Sequence, residues 1–138
     1  MTSKSEESKI FQHSVYETVK LIPSGHISTY GHIALLLGKP GNSRQVGQIL
    51  KLLHFKPTAT VEQDSSSAYD YGSVPWWRVI NSQGKISERG IPEMQRQREL
   101  LISEGVLVSD DGRFKVLNMR DVGWFEDDVE VKEEEEEH

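Results

Sequence analysis

The sequence predicts a mainly α fold with a small β hairpin, arranged as a winged helix-turn-helix, and three observations carry that prediction. Apolar residues recur at helical spacing from Phe11 to Ile22, two short helical segments are joined by a turn containing Gly38, Pro40 and Gly41, and two β-rich runs flank Asp110-Asp111-Gly112. A hairpin that follows a helix-turn-helix is the arrangement of a winged helix. At 138 residues and 36% hydrophobic content the chain is expected to form one compact domain plus tails, large enough to bury a single core, and not two domains.

In chain order, residues 1–7 are polar and predict a disordered start, so the domain is expected to span 8–125. Phe11, Val15, Val19 and Ile22 predict one buried helix face, ended by Pro23-Ser24-Gly25. Thr29 is suited to cap a second helix that Gly38 closes. Ser43 is suited to cap a third, whose inward stripe is Val46, Ile49, Leu50 and Leu53. From about 55 to 73, prolines, serines, Asp64 and Gly72 break every periodicity and predict an exposed insertion. A helix from Pro92 to Glu104 follows. Val106-Leu107-Val108 and Phe114-Lys115-Val116 then pair as the hairpin, and Trp124 with Phe125 packs the last segment onto the body.

The formal net charge of −6 is unevenly distributed. Residues 126–138 hold nine acidic groups against one lysine, a net −8, which leaves residues 1–125 with 15 basic and 13 acidic groups, a net +2. A mildly basic body with an acidic, disordered tail is the expectation. The absence of cysteine excludes disulfides, thiolate metal sites and thiol catalysis, and fits an intracellular protein. No apolar run is long enough to cross a bilayer, and the polar start has no signal-peptide pattern, so no membrane partner is expected. No phosphate-cradling glycine loop or paired metal-ligand motif appears. His13, His26, His32 and His54 read as surface or locally hydrogen-bonded residues, and neither a metal nor a cofactor is expected.

The most informative stretch is Pro75-Trp76-Trp77-Arg78-Val79-Ile80. By themselves, adjacent aromatics after a proline describe core packing as well as a ligand wall. Their context is more specific: Ser28-Thr29-Tyr30-Gly31-His32-Ile33-Ala34 leads through Gly38-Lys39-Pro40 to Ser43-Arg44-Gln45-Val46-Gly47-Gln48, and Asn81-Ser82-Gln83-Gly84 and Ile86-Ser87-Glu88-Arg89 follow the tryptophans. The hexapeptide resembles the Pro-Cys-His-Arg-Val motif of the O6-alkylguanine-DNA alkyltransferases, with Trp76 at the cysteine and Trp77 at the histidine position. The upstream runs resemble that family's helix-turn-helix, and the match extends from about Phe11 to Gly105. Alkyl transfer needs a thiolate acceptor, and an indole is no comparable nucleophile. A chain with the frame but no sulfur therefore looks like the alkyltransferase-like proteins, which sense lesions without repairing them.

That resemblance implies the following roles. The base must leave the stack to be inspected at O6. Tyr30 crowds the phosphate beside the flipped nucleotide. Arg44 enters the stack as a planar, donating finger, and Gly47 permits close approach of the recognition helix. Thr29, Ser43, Gln45 and Gln48 complete the DNA-binding set, while Leu50, Trp76, Trp77, Val79 and Arg89 form the lesion-base pocket. The implied partners are duplex DNA containing O6-alkylguanine and nucleotide excision repair proteins, with the protein a monomer and nuclear if eukaryotic. Trp77 is unusual even among the sensors. The enzymes' histidine is oriented by a glutamate, and alignment of Glu104-Gly105 places that position on or beside Arg98, next to Glu99, so the activating relay is expected to be absent. A winged-helix transcription regulator with the tryptophans as core is the alternative. An enzyme using another nucleophile ranks last, since no Ser or Lys has a recognisable activating partner.

Overall fold

The computed structural model describes residues 4–55 and 71–125. The first helix, α1, runs Lys4–Val19 and begins inside the stretch expected to be disordered. Glu6 and Glu7 in its first turn favour the positive end of the helix dipole, and nothing in the polar lead breaks the backbone pattern. The predicted stripe is correct: Phe11, Val15, Val19 and Ile22 are all buried, and Tyr16 joins them.

After Pro23-Ser24-Gly25 the chain enters β1, Ser28–Thr29, which pairs in parallel with β2, Val79–Ile80, in the register Ser28↔Val79 and Thr29↔Ile80. Two residues per strand are too few for any alternation to appear in the sequence. Helix α2 follows immediately, Tyr30–Leu36, with Thr29 as its cap: the Thr29 hydroxyl accepts from the His32 N–H at 3.1 Å. Gly38 leaves the helix at φ +77, a conformation glycine adopts without strain. A 3-10 turn over Pro40–Asn42 leads into α3, Ser43–Lys51. The capping position here is Asn42 and not Ser43, which is already helical. The Asn42 amide bonds Gln45 at 2.9 Å and makes no cap bond. Val46, Ile49, Leu50 and Leu53 are buried as predicted.

The expected insertion at about 55–73 falls almost wholly outside the described residues, as does the acidic tail from 126. Helix α4 runs Ile91–Ser103, one residue ahead of the predicted helix at each end. The wing is present but more interlaced than a simple hairpin. Val108 and Val116 form an antiparallel bridge, the Ser109 N–H donates to Lys115 at 2.8 Å, and Lys115 also bridges Lys85, adding the strand segment after β2 to the wing. Phe114 at φ 53 interrupts regular pairing, which is why the wing is a set of bridges and not a continuous ladder. A short helix α5, Met119–Val122, returns the chain to β1, where Ile27 pairs with Gly123 and accepts from the Trp124 N–H. Trp124 is buried as expected, whereas Phe125 stays 46% exposed. Among the described residues, no helix is long and apolar enough to cross a membrane.

The single core expected from the composition is divided into two apolar clusters. One joins α1, α2 and α3 and includes Trp76, and the other joins β2, α4 and the wing. Trp77 packs against both.

Candidate nucleic-acid interface

The parallel pairing of β1 with β2 places the start of α2 beside the tryptophan segment, and a groove of about 430 Å³ lies between α3 and the loop after β2. Tyr30, Gly31, Ser43, Arg44, Gly47, Gln48 and Lys51 line one wall, and Asn81, Ser82, Ser87, Glu88 and Arg89 the other. Arg44, Lys51 and Arg89 against Glu88 give the groove a positive balance, which suits a phosphate backbone.

Of the expected DNA-binding residues, Tyr30, Ser43, Arg44, Gly47 and Gln48 are brought together on this wall. Thr29 is occupied as the α2 cap, and Gln45 is bonded to Asn42. The Tyr30 ring lies over Gly47, where an added Cβ would stand 3.7 Å from ring carbons, and its hydroxyl accepts from Ser87 Oγ at 2.8 Å. The tyrosine is thereby fixed between the recognition helix and the opposite wall. The sequence reading missed Lys51, Asn81, Ser82, Ser87 and Glu88. Lys51 had a signal: it lies two helical turns from Arg44 and one from Gly47, on the same face. The loop residues lie in the two runs that follow the tryptophans in the motif, where the resemblance gives a role to Arg89 alone.

The expected pocket residues divide. Leu50 (2% exposed), Trp76 (7%) and Val79 (1%) are closed within the helical core or at its margin. Trp77 is half-buried and meets Trp76 edge to face, with ring centroids 5.6 Å apart at 88°. Arg89 reaches the groove, and its guanidinium donates to Gln97 Oε1 at 2.6 Å. Burial lowers the Arg89 pKa from its ordinary value, against the opposing influence of Tyr30 and Glu93.

One expectation is overturned. The glutamate facing the histidine position is Glu104, not position 98 or its neighbour: the Trp77 indole N–H donates to Glu104 Oε2 at 3.0 Å. Arg98 turns instead to the carbonyls of Val108 and Ser109. Glu104 also holds Arg78 through both carboxylate oxygens, at 3.0 and 2.6 Å, and accepts from the Gly25 N–H at 3.3 Å; Arg78 Nη1 bonds the Ile22 carbonyl at 2.8 Å. Burial pushes the Glu104 carboxyl up, but the hydrogen bonds from Arg78, Trp77 and Gly25 outweigh it and hold the group below the usual carboxylate range. An indole N–H only donates, so this glutamate orients Trp77 without making a base of it. Among the described residues, no cluster of three or more His, Cys, Asp or Glu is placed to hold a metal ion.

The family model for the 6-O-methylguanine DNA methyltransferase DNA-binding domain matches residues 10–106. The chain is 38% identical to the DNA base-flipping protein of Escherichia coli over 85% of this chain and 78% of that one. It is 41% identical to alkyltransferase-like protein 1 of Schizosaccharomyces pombe over 83% of this chain and 94% of that one. The crystal structure of the S. pombe protein with damaged DNA containing O6-carboxymethylguanine superimposes with a TM-score of 0.65 at 40% identity, covering 84% of this chain and 95% of that one.

Proposed function

The chain belongs to the family of the 6-O-methylguanine DNA methyltransferase DNA-binding domain, and from that premise we propose that it binds O6-alkylguanine in duplex DNA, flips the base and transfers no alkyl group. The observation that carries this reading is Trp76, an indole in the place of a reactive thiol, in a chain with no cysteine anywhere. Tyr30 stands on the groove wall to press on the backbone at the flipped nucleotide, and exposed Arg44 fills the vacated stack. Of the residues expected to hold the base, Arg89 lines the groove, while Leu50, Trp76 and Val79 lie in the apolar core with half-buried Trp77 packed against it. Aromatic stacking contributes about 1–3 kcal/mol per base, enough to favour a base whose pairing the alkyl group has already weakened. The relatives named for base flipping and alkyltransferase likeness support the reading.

The protein then acts as a flag. It is proposed to work as an intracellular monomer, nuclear in a eukaryote, that hands the marked site to nucleotide excision repair proteins. The test is a titration of one duplex carrying either guanine or O6-methylguanine at a single position, with the methyl group labelled. The modified duplex is expected to bind more tightly, with the label remaining on the DNA. Label on the protein overturns the non-enzymatic reading, and tightest binding to an unmodified sequence points to a transcription regulator.

A further inference from the structure

Helix α4 buries Met94, Gln97 and Leu101 on one face, a spacing at which an apolar side chain would continue the stripe. Gln97 breaks it while having no exposure at all. Burying an amide is unfavourable unless it is hydrogen-bonded, and here both ends are engaged: Nε2 donates to the carbonyls of Trp77 at 3.1 Å and Val79 at 3.3 Å, and Oε1 accepts from Arg89 Nη2 at 2.6 Å. The partners fix the orientation of the amide, since carbonyls only accept and a guanidinium only donates.

We propose that Gln97 is a positioning residue that sets the discrimination between alkylated and normal guanine by tying the Arg89 guanidinium to the backbone of the tryptophan segment. The inference rests on the lesion-sensing reading and adds a residue that never meets the DNA. An arginine on a flexible stem has many rotamers, and fastening its guanidinium to a buried amide narrows them and holds the side chain in the wall of the groove it lines with Tyr30 and Ser87. The same amide holds the Trp77 and Val79 carbonyls, so Arg89 and the tryptophan segment are joined through one buried side chain.

The test compares wild type, Q97M, R89A and the double variant, each checked first for cooperative thermal unfolding. Methionine keeps the length and lack of branching while removing both hydrogen-bonding ends. Q97M is expected to bind the unmodified duplex as wild type does but to lose roughly tenfold of the preference for O6-methylguanine, the loss of one charge-assisted hydrogen bond. In the R89A background Q97M should change the preference no further. Q97E, which keeps an acceptor for Arg89 but cannot donate to the Trp77 and Val79 carbonyls, is expected to lose the preference as Q97M does and serves if Q97M fails to fold; a retained preference in Q97E overturns the inference. Nitrogen NMR of the Arg89 guanidinium in the free wild-type protein should show restricted rotation. A preference unchanged in Q97M, additive losses with R89A, or a freely rotating wild-type guanidinium overturns the inference alone. Equal affinity of the wild type for both duplexes is the distinct failure of the lesion-sensing reading and takes this inference with it.

Discussion

The contact between α2 and α3 is apolar and close in sequence: Ile33, Ala34, Val46 and Leu50 pack within about twenty residues of chain, with Thr29 as a local cap. The contact between the tryptophan segment and α4 is polar and distant. Glu104 reaches back 26 and 27 positions to Arg78 and Trp77 and 79 to Gly25, and Gln97 reaches back to Trp77 and Val79. The helix-turn-helix is therefore a general DNA scaffold held by burial, whereas the recognition segment is held by directional bonds that fix side-chain geometry. A burial-held element tolerates repacking, and a bond-held element does not.

The sharpest way to break that contrast is Glu104→Ala. The Glu104 and Arg78 side chains are only 13% and 15% exposed, and removing the carboxylate leaves a nearly buried guanidinium unpaired, an expected loss of about 3 kcal/mol by denaturant titration. Unfolding of this variant should be accompanied by greater freedom of Trp77, read from indole fluorescence. The pH dependence carries a definite sign. Glu104 titrates lower in the folded than in the unfolded chain, so its stabilisation is complete above the ordinary value of 4.5 and is lost as the pH falls through the lower folded value. Glu104→Gln should flatten the stability curve in that acid window and leave the neutral-to-basic limb parallel to wild type.

The cap offers a smaller, local break: Thr29→Ala should lower stability by about 1 kcal/mol while leaving the Trp77 environment unchanged, since the loss is confined to the first turn of α2. Gly47→Ala should have the opposite sign. A Cβ there meets only the Tyr30 ring at an ordinary 3.7 Å, so helix propensity raises stability by up to about 1 kcal/mol, while the added methyl faces the groove and weakens duplex binding. Stability and affinity moving together in this variant would contradict the assignment of α3 as the element nearest the DNA.

The smallest expected effect concerns residues 126–138. If a segment of charge −8 attached to a body of charge +2 competes with phosphate for it, truncation after Phe125 should tighten binding to undamaged DNA a few-fold at low salt and narrow the preference for modified DNA. Salt should abolish the effect as the Debye length shrinks to about 8 Å. Equal affinities at low salt would reduce the tail to a solubility device.

By itself the sequence determined the four longer helices apart from the start of α1, the cap at Thr29, the inward stripes of α1 and α3, the wing and the missing nucleophile, because each rests on local periodicity, turn chemistry or the identity of one residue. It also carried the groove's α3 wall, since Tyr30, Arg44, Gly47 and Gln48 sit in short motifs. Only the tertiary structure decided the rest. The two-residue strands β1 and β2 have no readable period, yet their parallel pairing brings Tyr30 beside the tryptophan segment. Ser87, Glu104 and Gln97 acquire meaning only through partners 57, 27 and 20 residues away. Hydrogen bonds and ion pairs act over a few ångströms in space, and a linear pattern has no term for contacts whose distance is set by how whole helices pack.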